Sequence, residues 1–297
     1  MSEITPLIEW IEHNLHREIT LSEIAQKSGY TSRHLYNLFM AGPGVSPSAY
    51  IRQRKLSLAA VMLRDTLRPV TEIALMYGFE HLQSFTRAFS HYFLQSPLQY
   101  RQAEFWDMSR FYPSPLVKDF HCQTDIIWLP DNIFVRFETK DTWKINFGLN
   151  FLMETSEGNI ISFPQFYKSC VDLIFRKCLY SPFIVYGELR PGCTSDSEID
   201  IYTGYICPTA AVSSGIRIPS GYYACFSFRG TPEQIIAFNA WAKGNGMHKN
   251  QLILKKGPTF SVFSETGHGI YQTQYYIPCV PDIHSQTLLN RPGLLAV

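Results

Sequence analysis

Apolar positions change their period once along the chain, from a helical spacing to an alternating one. Up to about residue 105 they recur every three or four residues. Thr5-Pro6 reads as a helix start, a capping residue followed by a proline whose missing N–H costs nothing there. Leu7, Ile8, Trp10, Ile11 and Leu15 then form one apolar stripe. Thr20 and Glu23 have the spacing of a capping box for a short helix over 21–28. Ser46-Pro47 opens a longer helix in which Leu56, Ala59, Ala60 and Leu63 share one face while Leu58, Val61 and Met62 lie on another. Apolar on two sides, that helix belongs between two small bundles.

After about residue 130 the text turns to strands. "NIFVRFETK", "KINFGLNF", "FIVYGEL", "DIYTGYIC", "GYYACFSF", "TFSVFSE" and "YQTQYYIP" are short β-branched and aromatic runs bounded by Gly, Pro, Asn or Ser. Helical patterns interrupt them at 163–179 and 231–243. The order strand, helix, strand, strand therefore occurs twice, which predicts an internally duplicated α+β domain over 131–281. Residues 106–130, with Pro113 and Pro115 in "FYPSPLVKDFHCQTD", read as a linker, and 282–297 as a tail.

One phrase in the first segment is written twice. "IAQKSGYTSRHLYNLF", residues 24–39, and "IALMYGFEHLQSFTRAFSHYF", residues 73–93, each place a glycine four positions after an alanine (Ala25 and Gly29, Ala74 and Gly78) and follow it with apolar residues at helical spacing. The alanine lets a second helix approach, the glycine suits a tight turn, and the product is a helix-turn-helix shape. A single copy is explained equally well as a plain helical hairpin. Two copies joined by a helix of roughly 18 residues, about 27 Å long, are more specific, because successive major grooves on one face of a duplex recur every ~34 Å.

Composition leaves room for two such domains: 297 residues, 45% apolar and 17% charged. No apolar run approaches the eighteen or so residues that cross a bilayer, and "MSEITPLIEWIEHNL" lacks the basic start and apolar block of a signal peptide. A cytoplasmic, nucleoid-associated protein with no membrane partner is expected. The seven cysteines show no C-x-x-C pair and no zinc spacing, so they read as reduced and no metal is expected. Net charge is +1, yet residues 20–101 carry nine basic against four acidic side chains. That excess suits contact with a polyanion, and an ordinary solvated helical surface explains it nearly as well. There is no Gly-rich phosphate loop, no G-x-S-x-G and no H-E-x-x-H, and His121 and His268 stand alone. No cofactor and no enzymatic activity are expected.

"YIRQRKLSLA", "IALMYGFEHLQSFTRAFSHYF" and "SPLQYR" together resemble the AraC/XylS family of bacterial transcription regulators over residues 1–102. "YGELRPG", "SGYYACFSF" and "YYIP" extend a looser similarity to GyrI-like domains. The resemblance implies an all-α double helix-turn-helix of about seven helices over 1–105, followed by an α+β GyrI-like domain with duplicated strand-helix-strand-strand units. It also implies a transcription regulator, in most such proteins an activator, that binds asymmetric double-stranded promoter DNA as a monomer and contacts RNA polymerase. Family base-reading positions fall on Arg33, Tyr36 and Asn37 in a first recognition helix over 32–41, and on Gln83, Ser84 and Arg87 in a second over 82–94. Backbone contacts are expected from Ser32, Arg52, Thr86, Tyr100 and Arg101, with Arg54 and Lys55 less firmly placed. This chain departs from the family at Arg33, Tyr36 and Asn37, where close relatives carry Trp, Gln and Arg, and at Leu82, which replaces a common Gln. The second half is therefore expected to discriminate bases less, since leucine meets a thymine methyl and makes no bidentate adenine contact.

The aromatics on the strands, Phe147 and Phe151 among them, are more than a helix-covered core alone requires, although core packing explains any single one of them better. A ligand cavity between the duplicated halves is expected, lined by Tyr186, Glu188, Tyr202, Phe226, Gln274 and Tyr276. Gln274 stands where the family's usual glutamate falls, so the expected effector is a neutral or anionic amphiphile. Two alternatives stay open on sequence alone: a small-molecule-binding protein with a degraded DNA-binding half, and a GyrI-like hydrolase acting through Glu188.

Overall fold

The structure, a computed structural model, describes residues 3–131, 133–146, 152–154, 160–162, 182–192, 197–207 and 215–281. The chain divides into two compact units, Met1–Ala103 with Arg110–Lys118, and Glu104–Ser109 with Asp119–Val297. The predicted helix over 163–179, Phe147, Phe151 and the tail over 282–297 lie outside the described residues.

Seven helices build the first unit: α1 (Thr5–Asn14), α2 (Leu21–Ser28), α3 (Ser32–Ala41), α4 (Pro47–Asp65), α5 (Val70–Met76), α6 (Leu82–Phe93) and α7 (Pro97–Gln102). Most boundaries follow the capping signals. Thr20, Thr31, Ser46 and Ser96 each accept a hydrogen bond from a backbone N–H in the first turn of the helix they open, satisfying donors the helix itself leaves orphaned. α1 differs from expectation. Its N-cap is Ile4, without a side-chain cap, and Thr5 is its first residue. Ile4 is buried in the first core and its carbonyl accepts from Leu7 and Ile8, so apolar burial pulls the helix start back by a residue. At Glu23 the carboxylate is gripped by both Nη atoms of Arg17, at 3.0 and 2.6 Å.

α4 is buried along most of its length and round most of its circumference, as its two apolar faces predict. On one side Tyr50 and Ile51 join Leu7, Ile8, Ile11, Ile24, Leu35 and Phe39 in a first core, with Leu58 packed against it. A second core is built on Phe85, Phe89 and Phe93 of α6, whose rings follow one another at 5.5 and 4.7 Å. Each large apolar side chain so buried stabilises by about 1.5–3 kcal/mol.

A buried ion pair fastens α1 to α4. Arg54 donates to both oxygens of Glu12 at 2.8 Å, and the Tyr50 hydroxyl donates to the same carboxylate at 2.6 Å. Burial alone would raise the Glu12 pKa, but the Arg54 hydrogen bonds and charge, with the Tyr50 hydroxyl, outweigh it and hold the carboxyl below its ordinary value.

The second unit is an antiparallel sheet. Its main strands are β2 (Gln123–Leu129), β3 (Phe134–Asn146), β6 (Phe183–Pro191), β7 (Ser197–Cys207), β9 (Gly221–Gly230), β11 (Thr259–Gly267) and β12 (Ile270–Val280); shorter strands are β1 (Phe105–Asp107), β4 (Leu152–Glu154), β5 (Ile160–Ser162), β8 (Gly215–Arg217) and β10 (Ile253–Lys255). The central order β9-β12-β11-β6-β7-β3 is symmetric about the β11–β6 pair. In each half the second strand of a hairpin returns to pair with the strand that began the unit, which is the duplication expected from the sequence. α8 (Pro232–Trp241), opened by a complete capping box from Thr231 and Gln234, packs Ile235 among Phe183, Phe263 and Tyr271 on one face. The opposite face carries Tyr186, Tyr223, Cys225, Phe260 and Tyr276.

The expected linker over 106–130 needs correction. β2 lies within it and pairs with β9 along seven residues, from Gln123↔Ser227 to Leu129↔Gly221. Residues 110–118 are assigned to the first unit. "QTDIIWL" carries no polar-apolar alternation, three polar residues being followed by four apolar ones, so periodicity does not announce this strand.

Two tests follow from these packing details. Gly29 and Gly78 have nearly the same left-handed conformation, φ 72° and 71°, but a Cβ on Gly29 meets nothing within 4 Å whereas one on Gly78 meets the Arg17 carbonyl carbon at 2.7 Å. In urea melts Gly29→Ala should lose about 1–2 kcal/mol, the cost of the left-handed backbone, and Gly78→Ala a further ~1–3 kcal/mol from overpacking. Equal losses would contradict the close approach. For the ion pair, the folded-state pKa of Glu12 is depressed. Its stabilisation is therefore present above the unfolded carboxylate value and lost as pH falls through the folded value. Glu12→Gln should cost ~3–5 kcal/mol near neutrality, since it strands Arg54. The loss should shrink in chemical melts taken progressively below pH 4.5, the ordinary glutamate value.

Candidate nucleic-acid interface

α3 and α6 each bury one side and expose the other. On α3, Leu35 and Phe39 are fully buried while Ser32, Arg33, Tyr36 and Asn37 are exposed, Tyr36 by 48%. On α6, Phe85, Phe89 and Phe93 are buried while Gln83, Ser84 and Arg87 are exposed and Thr86 is half-buried. The turns before the two helices differ as the sequence indicates: three positions separate Gly29 from Ser32, and four separate Gly78 from Leu82. Met40 is 43% exposed one turn beyond Tyr36, and sequence reasoning passed it over because an apolar residue on a helix is first assigned to the core. Leu82 is 41% exposed at the start of α6.

The expected backbone contacts divide. Ser32 and Arg52 are exposed. Tyr100 is not, since its ring lies in the second core against Phe89 and Phe93, at 5.4 and 5.1 Å, with 5% of its surface accessible. Arg101 is committed internally, donating to the carbonyls of Leu63 at 3.2 Å and Arg68 at 2.5 Å. A helix end leaves its last carbonyls without intrahelical partners, and Arg101 supplies a donor there to α4. Arg54 is occupied by Glu12 and by the Tyr112 carbonyl. Lys55 donates to the Arg17 carbonyl at 2.6 Å, and burial draws its pKa down to about 8. Four residues that look cationic or polar in the sequence therefore hold the scaffold together.

The second unit departs further from expectation. Phe226 pairs with Tyr275 and is packed near Trp241, on the face opposite Tyr276. Tyr276 is fully buried and stacked on Phe260 at 4.4 Å, Tyr186 is buried beside it, and Gln274 is half-buried between Ser227 and Val262 in the sheet. Glu188 is exposed opposite Asp200. Among the described residues an open cavity of about 380 Å³ is lined by Phe137, Glu138, Thr139, Lys140, Tyr202, Gly215 and Ile216, so of the expected set it includes Tyr202. It sits at an irregularity where β3 slips by one residue against β7 between Phe137 and Thr139. There Gly204 faces the Arg136 carbonyl too closely for any side chain. Among the described residues no helix is long and apolar enough to cross a membrane.

Comparison with known proteins agrees with this geometry. Residues 24–103 match the model of a helix-turn-helix domain family. The right origin-binding protein of Escherichia coli K12 is 30% identical over 262 residues, 86% of this chain and 87% of that protein. The transcriptional regulator Rob of Salmonella typhimurium is 28% identical over the same shares. The multiple antibiotic resistance protein MarA of Escherichia coli K12 is 37% identical over 108 residues, 36% of this chain and 85% of that protein. With residues 24–103 matched to that domain family and 30% identity running over 86% of the chain, the chain belongs to the AraC-type family of helix-turn-helix, DNA-binding transcription regulators, alongside these Rob- and MarA-type proteins.

Proposed function

We propose that one copy of the chain binds an asymmetric promoter site by laying α3 and α6 in successive major grooves of the same duplex, and that it acts as an activator through contact with RNA polymerase. The observation that carries this reading is the pair of exposed faces on helices whose other sides are locked into separate cores. Between them runs the 19-residue α4, about 28 Å long at 1.5 Å per residue. That length falls short of the ~34 Å groove repeat, and a modest bend in the duplex makes up the difference. The two faces differ in chemistry, so the site they read need not be palindromic.

In this reading Arg33 pairs with guanine and Asn37 with adenine, with Tyr36 and Met40 offering apolar contact to a thymine methyl. In the second groove Gln83 and Arg87 have the matching adenine and guanine chemistry, with Ser84 between them. Leu82 lowers discrimination there. Ser32 and Arg52 fix register through phosphates, as does the α6 N-terminus, which has no side-chain cap. In the second unit this reading assigns a neutral or anionic amphiphilic effector to the cavity beside Tyr202, where Lys140 lies 5.2 Å from the Tyr202 ring.

Binding measured across a salt series separates the roles. Arg52→Ala should weaken all sequences alike and make the log-log salt slope shallower by about 0.9. Arg33→Ala should cost ~1–3 kcal/mol and relax preference at one base pair in the first half of the site. Tyr100→Phe should leave the slope unchanged. An Arg33→Ala protein that keeps every base preference of the parent would contradict the assignment of α3.

A further inference from the structure

The segment Arg110–Lys118 is not a linker in the first unit's architecture. Its alternate side chains reach three different elements. Arg110 Nη1 donates to the Tyr92 carbonyl at 3.1 Å, in the last turn of α6. The Tyr112 hydroxyl donates to the Pro43 carbonyl at 3.0 Å, two residues beyond the end of α3. Between these ends the Tyr112 backbone is tied to the middle of α4: its N–H donates to Ser57 Oγ at 2.8 Å, and its carbonyl accepts from Arg54 Nη1 at 2.6 Å. The Tyr112 ring meets Tyr50 edge-on at 5.9 Å, and a Ser114 hydrogen bond to Glu12 contributes to the lowered pKa of that carboxyl. Burial raises the pKa of Tyr112, so its phenol remains a protonated donor at neutral pH.

These contacts form a second connection between the two reading helices. α4 joins their cores, but a rod with a small bundle at each end leaves each bundle free to rock about its packing contacts. A strap fastened to the C-terminal end of α6, the middle of α4 and the chain just past α3 removes that freedom. We propose that Arg110, Tyr112 and the strap they belong to are positioning elements that fix the spacing of α3 and α6, and so set how many base pairs must separate the two halves of the bound site. This rests on the reading of α3 and α6 as groove-entering helices.

Both ends of the strap continue into residues built into the second unit. Ahead of it, β1 pairs with β10 and the Met108 N–H donates to the Leu252 carbonyl. Behind it, Asp119 accepts from the Trp241 indole at 3.0 Å and from Lys249 at 2.9 Å.

The test is binding of the full chain to its site and to the same site with one base pair inserted or removed between the halves. Such a change shifts one half by about 3.4 Å and turns it by about a tenth of a turn. The parent should lose on the order of 10-fold in affinity on the altered spacings, the scale of a mismatch. Tyr112→Phe with Arg110→Ala, which removes both end contacts and keeps the ring, should reduce that penalty to ~3-fold, with unchanged preference for bases within each half. Thermal melts of the variant confirm that it is folded, and Tyr112→Phe alone serves if the double change unfolds it. A spacing penalty equal to the parent's would overturn the role of the strap while leaving the two-groove reading intact. A parent with no spacing penalty at all would overturn both.

Discussion

The first unit depends on one constraint: α4 is buried along most of its length, with Ser48 and Arg52 left exposed near its start. Tyr50 and Ile51 belong to one core, Leu56, Ala59, Ala60 and Leu63 are buried further along, and the positions between are filled by Arg54, Lys55 and Ser57. Charged groups enter such a place only when paired, because an unpaired buried charge costs several kcal/mol. Glu12 and the carbonyls of Arg17 and Tyr112 meet that demand. The same bonds hold α1, the α1–α2 connection and the strap against the rod. Satisfying the polar groups of one helix thus fixes the frame on which the two exposed faces are carried.

This explains why the basic excess of the first segment is a poor map of where DNA is touched. Arg54, Lys55, Arg64 and Arg101 are all engaged with carboxylates or carbonyls of their own chain. The residues facing outward on α3 and α6 are of mixed chemistry, with Arg33, Tyr36 and Asn37 among them on one helix and Gln83, Ser84 and Arg87 among them on the other. A large part of the charge in this segment serves architecture.

Legibility in the sequence followed the range of the interactions. Local signals located α3 within its residues and α4 from Ser46-Pro47, because caps and helical periodicity act over three or four positions. The doubled strand-helix-strand-strand order anticipated the symmetric pairing about β6 and β11 for the same reason. What escaped was long-range. Tyr112 bonds to Ser57 and Pro43, partners 55 and 69 positions away, and nothing in the text around Pro113 announces them. Tyr100 and Phe226 were misplaced because an aromatic in a family position or on a strand carries no mark of which face it will occupy. Burial against Phe89 in one case and Trp241 in the other decided it.

Hydroxyl-radical footprinting of the full chain on a promoter duplex bears most directly on the central claim. Two protected patches on one face of the duplex, centred about one helical turn apart, with the pattern on one side weakened by Arg33→Ala and on the other by Arg87→Ala, are the result this account predicts. One uninterrupted patch affected equally by either substitution, or protection confined to a single groove, would show that the two helices do not read neighbouring grooves together.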